Sequence, residues 1–259
     1  MLAQERYAAI MKMIRETNIV KIGDIATKLK VSNETARRDL ETLQDQKLLK
    51  RVHGGAVLID PITDSEPSQL TFSKAGISIE EKAAIGRAAA EMVRNGETIF
   101  LDIGSTTLQI ARNLKMRSNL TVITNSIDII NELAGTNVDV IVLGGKLAKD
   151  DLHISSPITE TMFEYYNVDR SFISCGGISR NGDITDYSDL LLNRKVVRDH
   201  SNRLILVADS GKFGKKAMIK ACDIKMMDTV ITDTNLSEEY RELIIGMGIE
   251  FVQTKAGRQ

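Results

Sequence analysis

The chain has 259 residues, more than a single small binding module needs, so at least two domains are expected. Its two cysteines, Cys175 and Cys222, have no metal-ligand spacing and only three histidines accompany them, which leaves a metal centre or a disulfide framework without support. The net charge of −1 argues against a nucleic-acid partner until it is divided: residues 1–59 hold 11 Lys and Arg against 7 Asp and Glu, a net of +4, and the rest holds 23 against 28, a net of −5. A basic head on an acidic body concentrates any attraction for phosphate at one end. The first residues read as an amphipathic helix rather than a signal peptide, and no apolar run approaches the ~20 residues of a membrane span, so a cytoplasmic location is expected.

In chain order, helices are predicted over residues 2–16, 20–29 and 32–43, the last two separated by a tight Lys30-Val31 step. The third reads SNETARRDLETL. Ser32 suits an N-cap, and Ala36, Leu40 and Leu43 recur at helical spacing as a buried stripe. Off that stripe, Asn33, Arg37 and Arg38 face outward, where arginine reads guanine edges or phosphates bidentately. Short apolar runs on either side of Gly54-Gly55 then predict two strands and a turn, a wing with Lys50, Arg51 and His53 at its tip. This is the order of a winged helix-turn-helix with the recognition helix last. Its candidate DNA contacts are Ser32, Asn33, Thr35, Arg37, Arg38, Lys50, Arg51 and His53. An amphipathic three-helix unit with solvated arginines is the plainer alternative.

Residues 59–69 are polar, without periodicity, and contain Pro61 and Pro67, the composition of a linker. The domain boundaries follow: 1–59 for the winged helix-turn-helix, 60–74 for the linker and 75–259 for the body. In the body, helices predicted over 80–94, 106–115, 126–133, 158–165 and 189–200 alternate with apolar runs at 98–101, 120–123, 138–143, 171–174, 204–208, 229–232 and 250–252. Short Val/Ile/Leu runs separated by helices indicate a Rossmann-like α/β fold, a parallel sheet covered on both faces.

Ligands of such sheets bind beyond the strand C-termini. Five polar or Gly-rich loops fall there. Asp102, Gly104, Ser105, Thr106 and Thr107 form a small-residue turn opening a helix, whose free amides and hydroxyls suit a phosphate. Thr124, Asn125 and Ser126 form a second helix start, and Gly144 with Gly145 allows close approach of a ligand. The fourth loop is Cys175-Gly176-Gly177. The fifth, residues 208–214, offers Lys212 between two glycines as counter-charge for an anion, while Asp102 suits sugar hydroxyls. Each loop taken singly is also what helix capping and chain turning require.

From end to end the chain resembles the DeoR family of bacterial transcriptional regulators. SNETARRDLETL and KRVHGGAVL are similar to that family's helix-turn-helix and wing, and EKAAIGRAA, IFLDIGSTT, TVITNS, VLGG and LVADSGKFG are similar, in order, to its effector domain. The resemblance implies a regulator, usually a repressor of a carbohydrate-use operon, released by a phosphorylated sugar. It also implies a body fold shared with ribose-5-phosphate isomerase and glucosamine-6-phosphate deaminase. Carried over, the phosphate loop falls on Gly104 to Thr107, the loop acid on Asp102, the second loop on Thr124 to Ser126 and the lysine on Lys212. The family often has Gly, Glu and Ser where this chain has Ser156, Asp189 and Gly211, all in segments expected to border the pocket.

The expected partners are double-stranded operator DNA, a phosphorylated sugar or polyol and further copies of the chain in a dimer or tetramer, with no cofactor, metal or membrane. Two other readings stay open. The body could be a sugar-phosphate isomerase or deaminase using Asp102 or Asp189 as base beside Lys212, or the chain could bind DNA constitutively with a vestigial pocket.

Overall fold

The computed structural model describes residues 3–17, 19–45, 48–52, 55–58, 78–149, 152–187 and 191–255. The chain divides into two compact units, Met1–Glu66 and Pro67–Gln259. The segment read as a linker, 60–74, lies outside the described residues.

In the first unit, helices α1 (Ala3–Thr17), α2 (Ile22–Leu29) and α3 (Asn33–Asp45) enclose a core of Ile10, Ile14, Ile25, Ala36, Leu40 and Leu43. Lys30 turns the chain after α2 in the left-handed conformation, with its amide bonded to the carbonyl of Ala26. Strands β1 (Ile19–Lys21), β2 (Leu49–Val52) and β3 (Gly55–Leu58) form an antiparallel sheet in the order β1-β3-β2. Strand β1 occupies residues that the sequence reading places at the start of α2. It pairs with β3 so closely that a Cβ on Gly55 would lie 2.0 Å from the Val20 carbonyl oxygen, which explains why glycine opens β3. Lys50 and Arg51 pair with Val57 and Ala56 inside β2, rather than standing at the wing's tip. His53 lies outside the described residues.

The second unit is a seven-stranded parallel sheet, as the apolar runs predict. Its strands are β4 (Thr98–Leu101), β5 (Thr121–Thr124), β6 (Asp139–Val142), β9 (Val168–Ile173), β12 (Ser201–Val207), β14 (Thr229–Asp233) and β15 (Glu250–Thr254). They lie in the order β15-β14-β12-β9-β4-β5-β6. Successive residues point to opposite faces. Ile99, Leu101, Val122, Ile205 and Val207 join a core with α4 (Ile79–Glu91), α5 (Ser105–Leu114) and α6 (Ile127–Leu133). Phe100, Ile123, Leu204 and Leu206 face the other way, toward α7 (Pro157–Phe163), α8 (Arg194–Asp199) and α9 (Glu238–Gly246). Burial on both faces is why the inner strands β4, β5, β9, β12 and β14 read as near-continuous apolar runs, while the edge strands β6 and β15 are partly exposed.

Four features depart from the sequence reading. A hairpin of β7 (Lys146–Ala148) and β8 (His153–Ser155) follows β6, and a small antiparallel sheet joins β10 (Gly177–Ile178), β11 (Asp183–Asp186) and β13 (Ile219–Asp223). Helix α9 stands in a stretch where none was predicted. The helix predicted over 189–200 starts only at Arg194, because the Asn193 side chain accepts the Lys195 amide at 2.9 Å and caps it there.

Candidate functional site

In the first unit, Ser32 caps α3 as the sequence implied: its hydroxyl accepts the Thr35 amide at 3.0 Å and lies 2.9 Å from the Thr35 hydroxyl. The stripe of Ala36, Leu40 and Leu43 is buried, Asn33, Glu34, Arg37 and Arg38 are exposed, and of these Glu34 and Arg38 lie opposite the stripe. Arg6 of α1 holds α3 in place with two bonds to the buried Asp39, Nε to Oδ2 at 2.6 Å and Nη2 to Oδ1 at 2.8 Å. Donating these hydrogen bonds to the Asp39 carboxylate holds the Arg6 guanidinium above its ordinary pKa. Asp39 therefore fixes the helix from behind and leaves the arginine face free.

In the second unit, the chain runs from β4 through β5 to β6 in one direction and from β9 through β12 to β15 in the other. The adjacent C-termini of β4 and β9 are thus the topological switch point, where open α/β sheets form a crevice. A pocket lies there. From β4 it takes Gly104, Ser105 and Thr106, and from β9 it takes Ser174 and Cys175. Gly104 has φ of +147°, and a Cβ on it would meet the Ser174 hydroxyl at 2.4 Å, so both conformation and space require glycine. Gly104 is also the N-cap of α5 and brings no side-chain cap, while helix dipole and first-turn amides favour an anion. Lys212 closes the lining from a 3-10 turn, Ser210–Lys212, at the end of β12.

The remaining predicted residues are placed more diversely. Ser126 lines the pocket and caps α6 through the Ile129 amide. Thr107 is fully buried and donates to the Gly104 carbonyl at 2.9 Å. Thr124 donates to the Leu101 carbonyl at 2.7 Å, and the Asn125 amide to the Ile154 carbonyl at 2.9 Å, so these two brace the loops rather than line the pocket. Gly144 and Gly145 are not part of this lining. They follow the edge strand β6, two strands from the switch point, where Thr159 of α7 donates to the Gly144 carbonyl at 2.8 Å. Asp102, read as an acceptor for sugar hydroxyls, is likewise absent from the lining: it is buried in an ion pair with Arg194, 2.8 Å apart. Ser156 packs by Thr159 and Gly211 is exposed, both also outside the lining, and Asp189 lies outside the described residues.

Sequence reasoning missed Asp128, Asp186 and Arg194. Asp128, in the first turn of α6, and Asp186, at the end of β11, both line the pocket. Burial pushes the Asp128 pKa up against the pull of Arg112, with Glu132 adding to the rise. For Arg194, burial works against the charge, but the Asp102 carboxylate outweighs it and holds the guanidinium above its ordinary value. Among the described residues, Arg194 Nε and Nη1 are buried without a hydrogen-bond partner. An acid in a helix's first turn was a legible signal for Asp128. Asp186 and Arg194 had none, because their places depend on contacts between distant segments.

The sequence matches two family models and several known regulators. Residues 6–62 match the DeoR-like helix-turn-helix domain, and residues 77–234 match the DeoR C terminal sensor domain. The transcriptional repressor AccR of Agrobacterium fabrum is 33% identical over 235 residues, covering 89% of this chain and 90% of that protein. The glycerol-3-phosphate regulon repressor of Escherichia coli is 32% identical over 232 residues, 88% and 90% of the two chains. Among solved structures, the sorbitol operon regulator SorC from Klebsiella pneumoniae aligns over 92% of this chain and 97% of its own, with a TM-score of 0.44 and 13% identity. Helix-turn-helix head and sensor body together define a DNA-binding transcriptional regulator. The chain belongs to the DeoR family.

Proposed function

We propose that this regulator is a repressor of a carbohydrate or polyol catabolic operon, and that a phosphorylated sugar or polyol bound at the β4/β9 crevice releases it from DNA. The observation that carries this reading is the pocket itself, where the uncapped N-terminus of α5 and Lys212 line one concavity with Ser105, Thr106 and Ser126. Those groups suit a phosphate. Asp128 and Asp186, lining the same concavity, suit the hydroxyls of the rest of the ligand. The E. coli relative, a glycerol-3-phosphate regulon repressor by name, supports this class of effector.

Release requires that the effector bind the DNA-incompetent arrangement more tightly than the competent one, since only that difference shifts the equilibrium. A single winged helix reads few base pairs, so we assign the active form to a dimer or tetramer on repeated half-sites. Residues 1–59 are taken as the DNA-binding domain, 60–74 as a linker and 75–259 as the effector domain. The protein then works in the cytoplasm beside its operator. No described helix is long and apolar enough to cross a membrane. We read the pocket as a sensor without turnover, because binding needs only donors and a counter-charge.

A thermal-shift screen against sugar and polyol phosphates tests this, since a ligand at 100 times its Kd adds about 2.7 kcal/mol of stability. The hit must also release operator DNA and be recovered unchanged. A screen in which no phosphate ester shifts the melting temperature would leave the pocket without a role and favour constitutive DNA binding.

A further inference from the structure

We propose that Glu34 is a specificity-determining residue of α3, its carboxylate accepting a hydrogen bond from the exocyclic amine of a cytosine in the major groove. Helix α3 buries Ala36, Leu40 and Leu43. At 3.6 residues per turn, Glu34 and Arg38 each lie about 160° from Ala36 around the helix, on either side of the line opposite it. They therefore flank the middle of the outward face, one turn apart, with side chains 62% and 75% exposed. Glu34 stands in the first turn. That is the part of a recognition helix whose side chains reach base edges.

A carboxylate at this position is repelled by the phosphates that the arginines attract. Among the described residues it gains only the attraction of the helix N-terminus and two surface ion pairs. Glu34 lies 3.5 Å from Arg38 Nε and 3.9 Å from Arg37 Nη1, but all three side chains are solvent-exposed, and such pairs contribute little to folding. On DNA the same contacts gain a use. They offset part of the phosphate repulsion and aim an acceptor-only group beside two donor-only groups. In the major groove, cytosine presents the N4 amine as a donor and guanine presents O6 and N7 as acceptors. A Glu34–Arg38 pair thus matches a cytosine next to a guanine, and it rejects thymine, which shows O4 where cytosine shows a donor.

The experiment is selection of binding sites by the full-length protein from a duplex pool with randomised positions, followed by sequencing. It is repeated with Glu34→Ala, Glu34→Gln and Arg38→Ala, each first checked for an unchanged melting temperature. Wild type should prefer cytosine at one position of each half-site by about tenfold over other bases. Glu34→Ala should lose that preference and keep the guanine preference that Arg38→Ala removes. Glu34→Gln should shift the same position toward adenine, since glutamine pairs with adenine N6 and N7. If Glu34→Ala instead selects the wild-type profile at every position, changing only overall affinity, Glu34 is a mere electrostatic brake and the proposal is overturned. If neither Glu34→Ala nor Arg38→Ala alters the profile, the middle of the outward face of α3 does not read bases, and the proposal falls.

Discussion

Arg194 and Asp102 form an ion pair 2.8 Å apart with side chains only 2% and 1% exposed, joining the start of α8 to the residue that precedes the pocket loop. A pair so buried is a weak source of net stability but a costly one to break, because the survivor keeps its charge without a partner. Asp102→Leu should therefore destabilise the second unit by about 3–5 kcal/mol. The double variant Asp102→Leu/Arg194→Met should recover much of that loss while still binding effector more weakly, since the loop from Ile103 to Thr106 loses its anchor. Urea denaturation of the four proteins of this cycle gives the coupling energy. Simple additivity of the two single changes would show that the pair does not act as a unit.

Among the described residues, Lys212 is the cation that lines the pocket, and its replacement separates ligand recognition from DNA recognition. Lys212→Ala should weaken effector binding by about 2–5 kcal/mol, because a phosphate in a partly desolvated pocket is left unpaired. Operator affinity without effector should stay unchanged. The result is a repressor that binds its site and no longer lets go. Thr106→Ala should act in the same direction by less, on the order of 1 kcal/mol for one lost hydrogen bond. Electrophoretic titration of operator release against ligand measures both, and a release curve that Lys212→Ala leaves in place would mean that the phosphate sits elsewhere.

The parts of this molecule that were legible in the sequence are those whose signal is local. The cap at Ser32 and the stripe of Ala36, Leu40 and Leu43 specify α3 within a dozen residues. The inner strands of the parallel sheet are readable as apolar runs because both their faces are buried. The small sheet of β10, β11 and β13 was missed for the opposite reason: its strands are two, four and five residues long, and β13 mixes Lys220 and Asp223 with Ile219 and Cys222. Asp186 enters the pocket on one of those strands. Arg194 looked like one charge among several in RKVVRD, and only the long-range contact with Asp102 makes it a buried residue. For Asp102, Thr124 and Asn125, the sequence identified loops at the correct sheet edge, but not which side chains turn inward to brace them.

The two thiols make an alkaline prediction. Burial pushes Cys175 from an ordinary 9.0 up to about 12 and Cys222 up to about 11. Between these values the folded chain holds protons that the unfolded chain has released, so stability falls as pH rises. The stabilisation is fully present below pH 9.0 and is lost as pH climbs through 11 to 12. Relative to a Cys175→Ala/Cys222→Ala variant, the wild type should lose on the order of 1 kcal/mol per thiol between pH 8 and pH 10. Urea midpoints at the two pH values check the slope. Parallel pH profiles for the two proteins would show that these thiols are not shielded in the native state.

DNA affinity should reside in the first unit and divide into two kinds of contact. Arg38, exposed on the outward face of α3, is placed to read a base edge, so Arg38→Ala should cost about 1–3 kcal/mol on the operator and little on unrelated DNA. Lys50 and Arg51 lie on β2 of the wing, where contacts to phosphate carry no sequence information. Replacing either by Ala should weaken binding to all sequences alike and reduce the slope of log affinity against log salt by about one unit. The Ser32→Ala change tests the link between fold and function. It should cost roughly 1 kcal/mol of stability in the first unit through the lost cap, and fraying of the first turn of α3 should then blunt base discrimination more than phosphate binding. Salt-dependent fluorescence anisotropy on operator and scrambled duplexes distinguishes the two kinds. If Arg38→Ala lowered affinity for both duplexes by the same factor, Arg38 would be a phosphate contact and the reading face of α3 would have to lie elsewhere.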